Sequence, residues 1–423
     1  MYCQNIGAVR SGAPPRTGAL TPLTIKGVFT MSRTSLGVAV IGAGMAGRAH
    51  IAGYRTASTT FEPGLGEVRL VAVGDANADF AQDAADRFGY ERAETDWRAI
   101  ANADDIDAVS VVLPNAMHRE VVETLLNSGK HVLCEKPMAP SIADAEAMVE
   151  AANRHPELVA AIGFTFRTSP AINAVKRELE QGNLGRPYFF NGHYWCDYGC
   201  DPNGPMSWRY KGGPGSGALA DIGSHMIDAA EFLFGPIVEI RGGTLATVVG
   251  ERPLPLGAAV GHGATAVSDQ MEPVENEDVV TFVASFASGS VGTFSATRVA
   301  HGLPNSLGFE LFGSGGAASF DLARAGEFRF SDNSSSPATS GYRQVLIGPE
   351  HPYITRGLPM DFPGVNYGQN DLFTFETRAF LEQIAGVGTL PRVPNFAHGL
   401  RNLRLLDAVV RSAQAGGMGV SVS

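Results

Sequence analysis

Three glycines are the first residues whose spacing suggests chemistry: Gly42, Gly44 and Gly47 form the pattern G-x-G-x-x-G. They follow a strand-like run at 36–41 and open a helix-compatible stretch, the context in which such a loop binds a pyrophosphate. Gly42 permits a tight turn, Gly44 a close backbone approach and Gly47 close helix packing, and the helix N-terminus supplies N–H donors. The pattern predicts dinucleotide binding, and a glycine-rich turn without a ligand is the alternative.

Asp75 ends the second strand-like run, where its carboxylate would accept hydrogen bonds from a ribose diol and repel a 2′-phosphate. It lies farther from Gly47 than the usual ~20 residues, which an insertion at 56–66 explains. The position favours NAD as the cofactor, with NADP possible. The alternative is an aspartate that caps the next helix. Met45 and Ala46, inside the glycine loop, are further predicted cofactor contacts.

Two other segments carry ionisable side chains. Cys134-Glu135-Lys136-Pro137 follows a strand-like run, and the segment 217–228 opens a helix. In that helix Asp221 and His225 are four residues apart and share one face, although the surrounding residues are apolar. We expect this polar pair to face a cleft or a partner. The alternatives are an Asp221 that caps its helix, a His225 satisfied inside the core, and a Lys136 on the surface.

Together with the glycine loop, these segments resemble the glucose-fructose oxidoreductase, inositol dehydrogenase and rhizopine-catabolism family (Gfo/Idh/MocA). The resemblance covers nearly everything from Ser35 to the C-terminus, with the motifs in the same order. It implies NAD-dependent oxidation of a secondary hydroxyl of a sugar or cyclic polyol by hydride transfer to nicotinamide. Other residues that carry it are Leu113, Pro114, Asn115, His118, Trp208 and Arg209.

The resemblance implies that Lys136, Asp221 and His225 are the catalytic group. His225 has an ordinary pKa near neutrality and is the natural general base for the hydroxyl proton. In a dry cleft Lys136 would lose solvation, which lowers the pKa of an ammonium, and would position the reacting oxygen. Asp221 could orient the imidazole or bind a neighbouring hydroxyl. We also expect Pro137 to follow a cis peptide that aims Lys136 into the cleft.

The resemblance also predicts binding residues. For Leu113, Asn115 and His118, the alternative is an ordinary turn with an exposed histidine. For Trp208 and Arg209, the alternative is a packed aromatic side chain beside a surface cation. The predicted cofactor contacts outside the glycine loop are Asp75, Leu113, Asn115, His118, Glu135, Lys136, Trp208 and Arg209. The predicted substrate contacts are Lys136, Arg167, Tyr194, Asp221 and His225.

The runs 194–209 and 297–302 resemble the levoglucosan dehydrogenase branch, which oxidises the C3 hydroxyl of a pyranose or anhydrosugar. The loop with Cys196 and Cys200 departs from that branch, as does 164–167, so the sugar stays open. Inositol 2-dehydrogenase, an NAD-dependent glycosidase-like enzyme that uses transient C3 oxidation, and a non-catalytic dinucleotide-binding regulator are the alternatives. The cysteine pair lacks a second pair of ligands, so we predict no metal site and two buried thiols.

Composition narrows the class further. The 423 residues are 44% hydrophobic and 18% charged, with a net charge of −11 and four cysteines. That charge disfavours nucleic acid as a partner, and no apolar run reaches the ~20 residues of a membrane span. Few cysteines and no secretory signal suggest the reducing cytoplasm. We expect a small sugar or polyol as substrate and a homodimer or homotetramer, with no nucleic acid or membrane partner.

Strand and helix patterns alternate from 36 to 164, which predicts an α/β fold with a doubly wound parallel sheet, the Rossmann arrangement. Alternating runs after 164 predict an α+β domain with an open, mainly antiparallel sheet. We therefore expect an NAD-binding domain at 33–163 and a substrate and oligomerisation domain at 164–423. Residues 1–32 are predicted to be a disordered extension, with Met31 as a candidate start. The stretches 251–277 and 331–368 are predicted loops.

Overall fold

The computed structural model describes residues 35–61, 65–257, 265–332, 338–355 and 358–422. The predicted extension at 1–32, with its candidate start at Met31, lies outside these residues. The domain boundaries at 33–163 and 164–423 stay a prediction.

The first half of the chain builds a six-stranded parallel sheet in the order β3-β2-β1-β4-β5-β6. This is the Rossmann order, in which ligands bind where the strand order reverses, outside the carboxyl ends of the strands. The strands are β1 (Leu36–Ile41), β2 (Val68–Gly74), β3 (Arg92–Glu94), β4 (Ala108–Val111), β5 (His131–Glu135) and β6 (Ala160–Gly163). The helices are α1 (Met45–Thr60), α2 (Ala78–Phe88), α3 (Trp97–Ala101), α4 (His118–Asn127) and α5 (Ile142–Arg154).

Local signals explain most of these elements. The strand at 36–41 has the predicted bounds, and a helix forms at 78–88. Asn77 begins α2, because its side chain accepts hydrogen bonds from two backbone N–H groups of the first turn, and Gly89 ends it with φ of 72°. The short elements β3 and α3 were not predicted. The first helix also continues to Thr60, so it occupies the start of the predicted insertion at 56–66.

The rest of the chain forms a nine-stranded sheet in the order β16-β15-β14-β13-β7-β12-β11-β8-β17, beside a separate hairpin of β9 and β10. Only the β7–β12 pair of the nine-stranded sheet is parallel, so the sheet is mixed and mostly antiparallel. The strands are β7 (Pro187–Trp195), β8 (Ile237–Ala246), β9 (Glu251–Pro255), β10 (Val267–Pro273), β11 (Val279–Phe286), β12 (Val291–Thr297), β13 (Ser306–Gly313), β14 (Gly316–Asp321), β15 (Glu327–Asp332), β16 (Arg343–Leu346) and β17 (Val420–Ser421). The helices are α6 (Pro170–Glu180), α7 (Ser224–Phe234), α8 (Pro352–Thr355), α9 (Gln369–Ala385) and α10 (Phe396–Gln414).

Two predicted loops contain regular structure. The stretch 251–277 holds the β9–β10 hairpin, and 331–368 holds β16 and α8. The prediction of structureless loops there was wrong. The hairpin strands contain prolines, and one of their two buried residues is Arg252, so they lack the alternation of apolar and polar residues that marks a strand in a sequence.

Helix α9 joins the two halves of the chain. It packs against α1, where Gly53 leaves so little room that an added Cβ would lie 3.0 Å from the Phe373 carbonyl oxygen. Ionisable side chains are buried along it, including the pair Arg378 and Glu382, whose Nε and Oε1 atoms are 2.8 Å apart. Because those charges have their partners inside the protein, α9 acts as a fixed wall.

The buried pair of Arg298 and Asp278 generates a stability prediction. Asp278 accepts a 2.7 Å hydrogen bond from the guanidinium, and its second oxygen accepts from the N–H groups of Val248 and Val249. Asp278→Ala leaves the buried Arg298 cation without its carboxylate partner and two backbone donors unpaired, so the free energy of unfolding should fall by about 3–5 kcal/mol. Urea unfolding checks this, with exposed Asp269→Ala as the control; equal losses in both variants would contradict it.

Candidate active site

A cavity of about 1010 Å³ opens at the carboxyl ends of β1, β2, β4 and β5 and is closed from the other side by residues of the second half. It lies where the Rossmann strand order predicts a ligand. All but one of the predicted site residues line it. They are Gly42, Gly44, Met45, Ala46, Asp75, Leu113, Asn115, His118, Glu135, Lys136, Tyr194, Trp208, Arg209, Asp221 and His225.

The glycine loop has room for a phosphate group. Gly42 has φ of 105°, and a Cβ on Gly47 would lie 1.8 Å from the Gly42 carbonyl oxygen, so both positions require glycine. A Cβ on Gly44, in contrast, would meet nothing within 4 Å and would project into open space. No side chain caps the N-terminus of α1, so its N–H groups are available to an anion. The loop therefore fits a dinucleotide pyrophosphate.

Asp75 lies against this loop. One carboxylate oxygen accepts a 2.8 Å hydrogen bond from the N–H of Ala43, and the other accepts from the N–H of Asn77 at 2.8 Å. The side chain that caps α2 is Asn77, so the alternative that Asp75 is the helix cap is wrong. A partly exposed carboxylate at this edge of the cavity fits a ribose diol and disfavours a 2′-phosphate.

Lys136 and Asp221 meet across the cavity. The Lys136 ammonium donates a 2.7 Å hydrogen bond to the backbone carbonyl of Asp221 and lies 3.6 Å from its carboxylate. The peptide bond between Lys136 and Pro137 is cis, as we expected. The other oxygen of Asp221 accepts a 2.6 Å hydrogen bond from the Tyr198 hydroxyl. We did not predict Tyr198 as a site residue, although it lies in the run that resembles the levoglucosan branch.

His225 lines the same cavity. Phe166 lies edge-on to its ring at a centroid distance of 4.9 Å, and Nδ1 is buried with no hydrogen-bond partner among the described residues. The alternative of a satisfied core histidine is therefore wrong. Burial, and then the charge of Lys136, hold the pKa of His225 well below its ordinary value. The ring is therefore neutral near pH 7 and can accept a proton.

The segment that carries Asp221 is a turn of π-helix at Leu219–Gly223, which continues into α7. Buried Glu277 holds its start: one carboxylate oxygen accepts from the N–H of Leu219 at 2.9 Å, and the other accepts from the N–H of Gly215 at 2.7 Å. Asp221 is therefore not the residue that caps this segment. Turns of π-helix recur at functional sites because they shift side chains off the regular helical face.

Arg167 is the predicted substrate contact that does not line the cavity. Its guanidinium donates three hydrogen bonds, between 2.6 and 3.0 Å long, to the carboxylate of buried Asp228. This fork-to-fork ion pair uses the polar edge that a substrate would need. The structure thus places Arg167 in an ion pair outside the cavity lining, and its contact with the substrate stays a prediction.

Four other predicted contacts line the cavity and differ in their exposure and hydrogen bonding: Tyr194, Trp208, Arg209 and His118. Tyr194 donates a 2.7 Å hydrogen bond to the Asn305 side chain. Trp208 is 61% exposed, so it is not a packed core aromatic, and the Arg209 guanidinium lies 4.5 Å from its ring centroid. His118 is 1% exposed, and its ring nitrogens lie 2.8 and 3.2 Å from main-chain carbonyl oxygens of Leu113 and Met138. The alternative of an exposed His118 is wrong.

The two cysteines of the substrate-side loop are both free thiols, but only one is buried. Cys196 lines the cavity, and burial raises the pKa of its thiol to about 12. Cys200 is half-buried. The prediction of two buried thiols is thus wrong for Cys200.

Two buried arginines hold the loop that forms the rim of the cavity. Arg252 of the hairpin donates to the carbonyls of Gly199 and Asp201, at 2.6 and 2.7 Å. Arg298 donates to the carbonyl of Arg209 at 2.9 Å. Both guanidiniums lie over the Tyr210 ring, at 4.0 and 4.5 Å from its centroid. We call this group the arginine clamp; it fixes the rim loop at 196–210 through contacts that no local sequence pattern indicates.

Comparison with known families agrees with this geometry. Residues 36–163 match the model of the "oxidoreductase family, NAD-binding Rossmann fold", and residues 172–319 match the "GFO/IDH/MocA C-terminal domain". The chain therefore belongs to the Gfo/Idh/MocA family of NAD-binding oxidoreductases.

Curated relatives and solved structures extend the comparison. Levoglucosan dehydrogenase of Pseudarthrobacter phenanthrenivorans is 36% identical over 90% of this chain and 96% of its own length. Inositol 2-dehydrogenase of Salmonella typhimurium is 30% identical over 38% of this chain and 46% of its own. The structure of a levoglucosan dehydrogenase in complex with NADH and levoglucosan superimposes with a TM-score of 0.83 at 34% identity, covering 92% of this chain and 100% of that one.

The glycine loop generates a prediction about binding. In Gly44→Ala the added methyl projects into the open space that fits the pyrophosphate, so affinity for NADH should fall while the melting temperature stays near that of the wild type. In Gly47→Ala the methyl would collide with backbone, so the melting temperature itself should fall. NADH fluorescence titration and thermal unfolding measure the two effects. A Gly44→Ala protein that binds NADH like the wild type would contradict the placement.

Proposed function

We propose that this protein oxidises a secondary hydroxyl of a sugar or cyclic polyol with NAD, and that the hydroxyl is the C3 hydroxyl of a pyranose or anhydrosugar. The observation that carries the proposal is the convergence of Lys136, Asp221 and neutral His225 in the cavity that contains the glycine loop. The levoglucosan dehydrogenase relative and its complex with NADH and levoglucosan support the substrate class.

Two side chains handle the substrate oxygen and its proton. Bound NAD supplies the hydride acceptor. The Lys136 ammonium donates a hydrogen bond to the reacting oxygen, and its positive charge favours the developing alkoxide. Neutral His225, which lines the cavity, accepts the hydroxyl proton. The positive charge and the proton acceptor thus come from two different parts of the chain.

Asp221 positions two neighbouring side chains. Its described hydrogen bonds and ion pair are with Tyr198 and Lys136, so it holds the ammonium in place and accepts from the phenol. Burial, and then the Asp221 charge, raise the pKa of Tyr198 well above its ordinary value, so the hydroxyl keeps its proton and donates. Asp221 and Tyr198 are therefore positioning residues that can also meet the substrate's other hydroxyls.

Inositol 2-dehydrogenase activity is the second candidate, because a relative of that name matches this chain at 30% identity. The glycosidase-like reaction and the non-catalytic regulator would both leave an assay of NADH formation silent. The former frees an aglycone without net NADH, and the latter gives no turnover.

We also infer a homodimer or homotetramer in the cytoplasm. The open face of the nine-stranded sheet exposes large apolar side chains, including Val291 and Phe312, which supports self-association through that face. None of the described helices has the length and apolar character needed to cross a membrane. The negative net charge supports a small-molecule substrate over nucleic acid.

A substrate panel tests the function. Levoglucosan, glucose, myo-inositol and scyllo-inositol are offered at alkaline pH with NAD or NADP while NADH or NADPH absorbance is followed. We expect turnover with levoglucosan or a pyranose and a preference for NAD, because Asp75 lies where a 2′-phosphate would be. Silence across the panel with both acceptors would exclude the dehydrogenase.

Removing the ammonium tests the mechanism. Lys136→Met keeps much of the side-chain volume but loses the donor and the charge, so kcat/KM should fall by about 10²–10⁴-fold, the usual contribution of a catalytic proton donor or acceptor. NADH binding, measured by fluorescence, should persist. Lys176→Met on α6, which does not line the cavity, is the control and should retain activity. Full activity in Lys136→Met would rule out the assigned role.

A further inference from the structure

Three buried ionisable side chains that the proposed reaction does not use cluster at the wall of the cavity. They are His50 of α1, Glu135 at the end of β5 and Glu376 of α9, which are 0%, 8% and 0% exposed. One nitrogen or oxygen atom from each lies within 4.8 Å of the others. The cluster therefore joins both halves of the chain directly behind Lys136.

Glu135 is well supplied with donors. His50 Nε2 lies 3.0 Å from Oε1, and the backbone N–H of Lys136 donates to Oε2 at 3.0 Å. The other ring nitrogen of His50 lies 3.1 Å from the Ser110 hydroxyl, which also lies 2.8 Å from the Tyr54 hydroxyl. This continuous network compensates a negative charge on Glu135.

Glu376 has fewer hydrogen-bond donors than Glu135. Its Oε2 accepts a 2.8 Å hydrogen bond from the Thr165 hydroxyl. Its Oε1 is buried and has no hydrogen-bond partner among the described residues. An ionised carboxylate in that position would have one neutral donor and a second carboxylate as a neighbour, which is an unfavourable state for a buried charge.

We propose that Glu135 and Glu376 hold one proton between them and that Glu376 carries it, so that the wall behind Lys136 bears a single negative charge, on Glu135. Two ionised carboxylates this close in a buried site repel each other strongly, so one of them keeps a proton. Because Glu135 has the better donors, the negative charge resides there, next to the ammonium of Lys136.

The electrostatics of each carboxyl agree with the hydrogen bonds. Burial, and then the charge of Glu135, raise the pKa of Glu376 well above its ordinary value. Burial opposes ionisation of Glu135, but the hydrogen bond from His50 and the charge of Lys136 hold its pKa below the ordinary value. The titratable groups around the pair are His50 and Tyr54 of α1, His118 of α4, Cys134 and Lys136 around the end of β5, and Tyr353 of α8.

Infrared difference spectroscopy of the purified full-length protein at pH 8 tests the assignment. The band of a protonated carboxylic acid should be present in the wild type, lost in Glu376→Gln and kept in Glu135→Gln. Loss in Glu135→Gln alone, or no loss in either variant, would overturn the proposal. Should Glu376→Gln fail to fold, Thr165→Val removes the one donor to Glu376 and should shift the band; an unshifted band would overturn it.

The pH dependence of stability gives a second readout. In the native state Glu376 keeps a proton that the unfolded chain releases above the ordinary pKa of 4.5, so native stability declines as pH rises toward the folded-state pKa. The wild-type unfolding constant should therefore rise roughly tenfold per pH unit relative to that of Glu376→Gln in this window. Glu150→Gln, on the exposed face of α5, is the control and should follow the wild type. Parallel curves for Glu376→Gln and the wild type would contradict the shared proton.

Turnover gives a third readout, and it alone rests on the proposed dehydrogenase function. Glu376→Gln keeps a neutral group and should leave kcat/KM near neutral pH unchanged, whereas Glu135→Gln removes the charge behind Lys136 and should lower it. Equal losses in both variants would overturn the single-charge assignment. Metal analysis of the same preparations adds a check, because a stoichiometric divalent cation would require both carboxylates to be ionised. The infrared and stability results stay informative if no sugar is turned over.

Discussion

The hydrogen bond from the Lys136 ammonium to the backbone carbonyl of Asp221 joins the two segments of the chain that build the site. The lysine follows the last residue of β5 in the parallel sheet, and the carbonyl belongs to the π-helical turn before α7. A flexible four-carbon chain can hold one position only when its charged end has fixed acceptors. Glu277 supplies that rigidity on one side by holding the start of the turn, and the parallel sheet supplies it on the other.

Support for the site lies beyond the residues that face the cavity. The arginine clamp fixes the rim loop by donating to carbonyls at Gly199, Asp201 and Arg209. The clamp residue Arg252 comes from a hairpin that pairs with no other strand of either large sheet. Buried guanidiniums that donate to main-chain carbonyls restrict a loop more than apolar packing does, because each lost hydrogen bond leaves a buried polar group unpaired. The rim is therefore specified by long-range contacts.

The sequence predicts those parts of the molecule that depend on neighbours along the chain. The glycine loop, the strand at 36–41 and the parallel class of the first sheet follow from local patterns of glycine and apolar periodicity. Arg167 shows the limit: its partner Asp228 is 61 residues away, and nothing local distinguishes a buried ion pair from a substrate contact. Glu277 and Glu376 were missed for the same reason, because a buried glutamate on a helix or after a strand resembles a surface one until its partners are known.

The seam between α1 and α9 also determines how a substrate can reach the cavity. At Gly53 helix α1 lies against the Phe373 carbonyl and the Thr377 side chain of α9, and Arg378 of α9 donates to the carbonyl of Ala57 across the same boundary. Separating α1 from α9 would break the hydrogen bond from Arg378 to the Ala57 carbonyl and leave a buried guanidinium donor without that acceptor. Opening the cavity by separating the two helices is thus unfavourable. We expect the substrate to enter at the rim loop instead, where Trp208 is exposed.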